Sequence, residues 1–149
     1  MLVLALLTTG LQAGTYYTWA SGVMPGLARV GDRTFVEAMW SMNRAIVNPV
    51  FLASFLGAPV LSIAAAFLVD GDARPWAVVG ALGAVATIVI TAGGNIPLNN
   101  ALDAAGPIEQ VTDPVGTRRA FESRWVRLNV LRTVTSTVSL AALGWAALS

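Results

Sequence analysis

The sequence predicts an all-α integral membrane protein, a four-helix bundle with an additional amphipathic helix between spans 1 and 2. Hydrophobic residues make up 56% of the 149 residues and charged residues only 11%, which leaves a soluble domain too little polar surface to cover its core. A membrane-spanning helix needs roughly 20 mainly apolar residues. Four such stretches occupy the chain, so residues 1–149 are predicted to form a single four-span transmembrane domain.

The first span is predicted from Met1 to about Met24. This apolar segment has neither the basic opening nor the small-residue cleavage site of a secretory signal, so we interpret it as a helix that is retained. Gly10 and Gly14 form a GxxxG pair, a spacing that allows a second helix to approach closely. A homo-oligomer is therefore one candidate assembly.

The connection after the first span is predicted to contain the amphipathic helix. Residues 34–37, Thr-Phe-Val-Glu, fit a capping box, so the helix is predicted to start at Thr34. Apolar side chains then recur at helical spacing: Phe35, Met39, Met42 and Ile46. The helix is expected to lie along the membrane surface or to lean into the bundle.

The other three spans are predicted over residues 48–69, 75–94 and 128–148. Asn48 followed by Pro49 is a typical helix start, with an amide cap and proline in the first helical position. The fourth helix is predicted to begin well before its span, because Phe121 and Trp125 share a face with Leu128.

The order of spans places the two longer connections, residues 25–47 and 95–127, on the same side. Arg74 is the single arginine on the other side. The positive-inside rule then predicts a multi-pass protein of the cell membrane with these connections in the cytoplasm and both termini extracytoplasmic. The arginines of the two connections are Arg29, Arg33, Arg44, Arg118, Arg119, Arg124 and Arg127.

The composition excludes several classes of chemistry. The chain has no Cys and no His, and therefore lacks thiolates, the commonest metal ligand and the usual general base. A net charge of +1, with the arginines spread over several loops, is not typical of nucleic-acid binding. Membrane lipid is the expected surrounding partner.

Polar side chains inside the apolar segments are the candidate site residues, because such groups usually face a bundle interior or a cavity. Trp125, Asn129 and Arg132 share one helical stripe, which Ser136 extends inward. Together they offer an aromatic plane, an amide and a permanent cation. The structural alternative is that Arg132 snorkels to the interface while Asn129 binds a neighbouring carbonyl.

A second group lies where the third span is predicted to end. There Asn95 and Asn99 flank Pro97, and their amides either satisfy carbonyls freed by the proline or point together into a cavity. A third group would line the same mouth if the amphipathic helix packs inward, with a core or interfacial position as the alternative. Its members are Met39, Trp40 and Asn43.

Carboxylates are scarce near these groups. Glu37 is assigned to the capping box, and Asp103, which follows the asparagines, is the one acid considered as a base. No metal site is predicted, since acids and amides alone are an unsupported ligand set here.

These residues together resemble the anthrone-oxygenase-like family of small membrane proteins, many of whose members are known only as a domain of unknown function. The resemblance covers nearly the whole chain, and its most specific part is Asn-x-Pro-Leu-Asn followed by Trp-x3-Asn-x2-Arg. It rests on Val23-Met24-Pro25-Gly26-Leu27, on Phe35 with Met39 and Asn43, on Asn95-Ile96-Pro97-Leu98-Asn99, and on Trp125 with Asn129 and Arg132.

The resemblance implies a four-helix membrane bundle that oxidises a hydrophobic polyphenolic, anthrone-like substrate with O2 as co-substrate. The lack of His and Cys fits a reaction without a metal cofactor. In that interpretation Trp125 or Trp40 stacks on the substrate, with Asn43 and Met39 beside it. Arg132 and the amides of Asn129, Asn95 and Asn99 stabilise its enolate. The base is Asp103, solvent water or the substrate's own phenolate.

Two other interpretations remain open at the level of sequence. One is a non-catalytic membrane protein that binds or passes a small hydrophobic molecule; the other is an enzyme of the same fold with another substrate. A catalytic site requires that Asn95, Asn99, Asn129 and Arg132 converge on one void. A structural role would have each of them bonded to a nearby backbone carbonyl instead.

Overall fold

A computed structural model describes all 149 residues and contains helices and no β-strand. The all-α class is thus confirmed. Two of its five helices, α3 and α4, are long and apolar enough to cross a membrane. The helices are α1 (Leu2–Thr18, a π-helical turn at Trp19–Val23, and Met24–Leu27), α2 (Asp32–Ile46), α3 (Pro49–Leu68), α4 (Ala73–Ile90, a π-helical turn at Thr91–Asn95, and Ile96–Ala104) and α5 (Pro114–Ala146).

Four of the helices pack side by side in a ring. α1 contacts α3 and α5, and α4 contacts the same two helices from the opposite side. The closest seam lies between α4 and α5, where a Cβ atom on Gly83 would lie 2.9 Å from the carbonyl oxygen of Thr135. Around Gly14, in contrast, a Cβ atom would meet nothing within 4 Å. The GxxxG pair of α1 therefore does not form the tight contact of this bundle.

Each π-helical turn ends two residues before a proline, Pro25 in α1 and Pro97 in α4. In both, the residue preceding the proline donates its N–H to the carbonyl five residues back, to Trp19 or to Thr91. A proline within a helix lacks an N–H and clashes with the carbonyl four residues before it. A widened turn accommodates both defects, and the helix continues.

The third predicted span is consequently longer than expected. The sequence predicts an end near Gly94, but α4 continues without a break to Ala104. The asparagines around Pro97 lie within a helix and not at a helix end. The start of the fourth helix is confirmed to be early, because α5 begins at Pro114 behind an Asp113 cap.

The start of α2 differs from the prediction. The helix begins at Asp32 with no side-chain cap, so the capping box at Thr34 is wrong. Arg118 of α5 holds this turn instead, donating to the Asp32 carboxylate at 3.0 Å and to the Val30 carbonyl at 2.9 Å. Its hydrogen bond to Glu122 and the two carboxylate charges raise the pKa of Arg118 above its ordinary value.

The apolar face of α2 packs inward against the ends of α4 and α5. Phe35, Val36 and Met39 are fully buried there, in one cluster with Phe121 and Trp125. The two long connections therefore meet at one end of the bundle. The pocket described next lies beside this cluster.

Candidate functional site

A partly enclosed pocket of about 150 Å³ lies between α2 and the four-helix ring. All five helices contribute to its wall. Its lining consists of Thr15, Tyr16 and Trp19 from α1, Met42, Asn43 and Ile46 from α2, Val47 from the following turn, Phe51, Leu52 and Phe55 from α3, Thr91, Ile96 and Asn99 from α4, and Trp125 and Arg132 from α5. The two π-helical turns contribute Trp19 and Thr91.

Arg132 is the one charged side chain on this wall. It is only 7% exposed and forms no ion pair. Its guanidinium carbon lies 4.5 Å from the ring centroid of Tyr16 and 5.3 Å from that of Trp125, and its Nε has no hydrogen-bond partner. Burying a cation without a carboxylate is costly, and two ring faces offset only part of that cost.

Asn129 holds the guanidinium in place. Its Oδ1 accepts from Arg132 Nη2 at 2.9 Å, and its Nδ2 donates to the Tyr16 carbonyl at 3.1 Å. Asn129 thus has the backbone partner that the structural interpretation expected, but Arg132 does not snorkel outward. Ser136, also buried, donates to the Arg132 carbonyl at 2.6 Å.

Two predicted amides lie on the pocket wall. Asn99 accepts from Trp125 Nε1 at 2.9 Å, which fixes the plane of the indole. Asn43 lines the pocket with a buried Nδ2 that has no partner. The structure therefore brings Arg132, Trp125, Asn99 and Asn43 to one wall. Of the four residues that a catalytic site was expected to gather at one void, only Asn99 and Arg132 line this pocket, and Asn95 and Asn129 do not.

Asn95 is close to the site but not on its wall. It is 0% exposed, and neither amide atom has a hydrogen-bond partner. Thr91 and Asn99, four residues before and after it, both line the pocket. Buried amides in folded proteins are nearly always paired, so Asn95 offers an unfilled donor and acceptor beside the pocket.

Three predicted site residues lie elsewhere, against the prediction. Met39 is fully buried in the apolar cluster at the end of the bundle. Trp40 lies against Arg44, whose guanidinium carbon is 4.9 Å from the ring centroid. Arg44 also pairs with Asp103 at 3.0 Å, and both of these side chains are about half exposed. For Met39 and Trp40 the reason is the rotation of α2, which turns Asn43 and Met42 toward the pocket instead. Asp103, on α4, is held away from the pocket by its ion pair with Arg44.

Tyr16 is a site residue that the sequence did not identify. Its hydroxyl donates to Gln12 Oε1 at 2.8 Å, and Gln12 Nε2 donates to Ser54 Oγ at 2.8 Å. Tyr16 also lines a second, smaller cavity of about 10 Å³, together with Thr9, Gln12 and Ser136. The signal that points to it is the spacing of Gln12 and Tyr16, two polar side chains one turn apart in an apolar span.

The wall therefore combines one cation, two amides and several aromatic rings, with no carboxylate. Such a wall suits a flat aromatic molecule carrying a negative or electron-rich oxygen, since the guanidinium lacks an anion and the indole offers a stacking face. No three Asp or Glu side chains lie close enough to hold a metal ion.

Comparison with protein-family models gives a match. A family model described as anthrone oxygenase matches residues 39–142, from α2 through most of α5. No curated protein and no solved structure matches the chain.

Proposed function

The chain belongs to the anthrone oxygenase family, and from this premise we propose that it is a membrane oxygenase acting with O2 on a hydrophobic polyphenolic substrate. The observation that carries the proposal is the buried Arg132 guanidinium, which has no counter-anion and faces an aromatic pocket. A substrate enolate or phenolate would be the missing anion.

Membrane insertion of all four bundle helices is part of the proposal. Beyond α3 and α4, outward-facing apolar side chains on the other two helices support it, because a face of this kind suits lipid. They are Val3, Leu4, Leu7 and Leu11 of α1, and Val130, Leu131, Val134 and Val138 of α5. The arginine-rich end with α2 would be cytoplasmic and both termini extracytoplasmic.

The size of the pocket restricts how a substrate binds. A cavity of 150 Å³ holds a single aromatic ring. A polycyclic substrate would place its reacting ring beside Trp125 and Arg132, with the remaining rings at the rim near Val47 and Leu52. Both rim residues are exposed, which suits entry from the surrounding lipid.

The proposed reaction is the conversion of an activated CH2 group to a carbonyl. Loss of one proton gives an enolate, whose oxygen Arg132 stabilises in a water-poor site. The enolate carbanion passes one electron to O2, and the carbon radical and superoxide combine as a peroxide anion. This anion takes back the proton lost in the first step and becomes a hydroperoxide. The hydroperoxide loses water to leave the quinone. One CH2 group and one O2 thus become one carbonyl and one water, which balances without a cofactor.

The position of Asp103 bears on the base in this reaction. Its carboxylate is paired with Arg44 and lies away from the pocket. No carboxylate lines the wall. We therefore assign proton removal to the substrate's own phenolate or to solvent water.

Aerobic turnover of a model anthrone tests the function. Detergent-purified protein of known metal content is incubated with substrate while quinone absorbance and oxygen uptake are followed. We expect turnover by metal-free protein that is lost in Arg132→Ala. Stoichiometric haem or metal in the active protein would refute the cofactor-free reaction, and binding of the anthrone without turnover would favour the hydrophobic-molecule carrier.

A further inference from the structure

A second concave surface lies on the outside of the bundle, between the end of α1 and the first half of α5. It is a groove of about 830 Å³ and shares no residue with the pocket. Its floor is mostly apolar, formed by Ala20, Met24, Pro25, Ala28 and Val126. The polar part of its lining consists of Arg119, Glu122, Ser123 and Arg127.

The groove has a local excess of positive charge. Glu122, its one acid, accepts from Arg118 at 2.7 Å. Arg119 and Arg127 form no ion pair, and Arg127 has only a 3.3 Å hydrogen bond to a backbone carbonyl. Two exposed guanidinium groups thus flank the groove and are free to bind an anion.

Toward the C-terminal end of α5, the same outer face of the helix becomes apolar. Val126, Val130 and Val134 follow one another at four-residue spacing and continue the stripe that carries Arg119 and Arg127. Val130 is 46% and Val134 is 54% exposed. A ligand with an anionic head and a long apolar tail matches this order of cation and hydrocarbon.

We propose that this groove is a binding site for one anionic phospholipid of the membrane. The phosphate lies between Arg119 and Arg127, the glycerol region fills the groove, and one acyl chain runs along Val130 and Val134. The site depends on membrane insertion of the bundle but not on the oxygenase reaction. A lipid held here would also seal the α1–α5 junction at the end where Arg118 ties α2 to α5.

Binding of labelled phosphatidylglycerol and phosphatidylcholine to delipidated, detergent-purified protein tests the site. We expect phosphatidylglycerol to bind more tightly, and Arg119→Gln/Arg127→Gln to weaken it about 30-fold, the equivalent of about 2 kcal/mol at about 1.4 kcal/mol per tenfold. The matched control is Arg33→Gln/Arg124→Gln, which removes the same charge at the same end but outside the groove. It should change binding less than threefold.

Two further measurements distinguish lipid binding in the groove from general electrostatic attraction of anionic lipid to the protein. Ala28→Trp keeps every charge and fills the floor, so it should also weaken phosphatidylglycerol binding. Inorganic phosphate at millimolar concentration should not displace the lipid. Equal losses in both arginine pairs, no preference between the two lipids, or displacement by phosphate would each overturn the proposal. None of these readouts depends on turnover, so the oxygenase proposal is tested separately.

Discussion

Replacing Arg132 by methionine should separate catalysis from stability. Methionine keeps an unbranched side chain of similar length but removes the charge and the hydrogen-bond donors. If the cation serves the fold, this substitution should lower the stability of the protein. If it serves the substrate, the substitution should lower turnover.

The expected stability change follows from the partners of the guanidinium. The substitution leaves Asn129 Oδ1 without its 2.9 Å donor, which costs about 1–3 kcal/mol for a buried acceptor. Losing the contacts with the two rings costs about 1–2 kcal/mol each. Against this, the desolvation penalty of a buried cation, several kcal/mol, disappears. The sum is close to zero, so the apparent melting temperature should change by only a few degrees.

Turnover should respond much more strongly. Removing a group that stabilises developing oxyanion charge typically slows a reaction by about 10²–10³-fold. Arg132→Met should therefore reduce quinone formation by about that factor while the protein still folds.

The assay combines thermal unfolding in detergent with aerobic turnover of a model anthrone. Arg44→Met is the matched control, because this arginine is largely exposed and its carboxylate partner Asp103 lies outside the pocket. The control should keep turnover within about threefold of the unchanged protein. The reasoning is refuted if Arg132→Met turns over normally, or if it loses more than about 4 kcal/mol of stability.

Three other outcomes are expected. Tyr16→Phe should retain most activity, because the ring under the guanidinium is kept. Tyr16→Leu should lower turnover about tenfold without unfolding the protein, and equal losses in the two variants would assign the effect to the hydroxyl. Gly83→Leu should destabilise the bundle by about 3 kcal/mol in thermal unfolding, since its side chain would meet the α5 backbone. Gly14→Leu is the control and should leave the stability unchanged, because Gly14 faces open space. In the cysteine-free chain, Ser149→Cys should react with a membrane-impermeant maleimide in intact cells and Arg33→Cys should not; the reverse pattern would contradict the proposed orientation.

Much of the architecture was readable from local pattern. Long apolar stretches predicted the helices, and Asn48 does cap α3 by accepting from the Phe51 amide at 3.0 Å. The early start of α5 followed from its helical stripe. These features depend on neighbours along the chain, which is why sequence alone identified them.

The sequence misjudged features that depend on partners from other helices. A local capping pattern favoured Thr34, but Arg118 of α5 provides the contact that fixes the start of α2. Pro97 suggested a helix end, yet a π-helical turn allows α4 to continue past it. In both cases the local rule was outweighed by a contact or a turn that it does not describe.

For the site, the sequence determined which residue types lie at bundle depth: one cation, several amides and a tryptophan on predictable helical stripes. The tertiary structure alone decided which of them meet. The rotation of α2 brings Asn43 to the pocket and turns Trp40 away from it toward Arg44, and the packing of α1 on α5 places Tyr16 beneath Arg132. The physical reason is that helical periodicity fixes the face of a residue on its own helix, whereas the facing partner depends on how the helices pack.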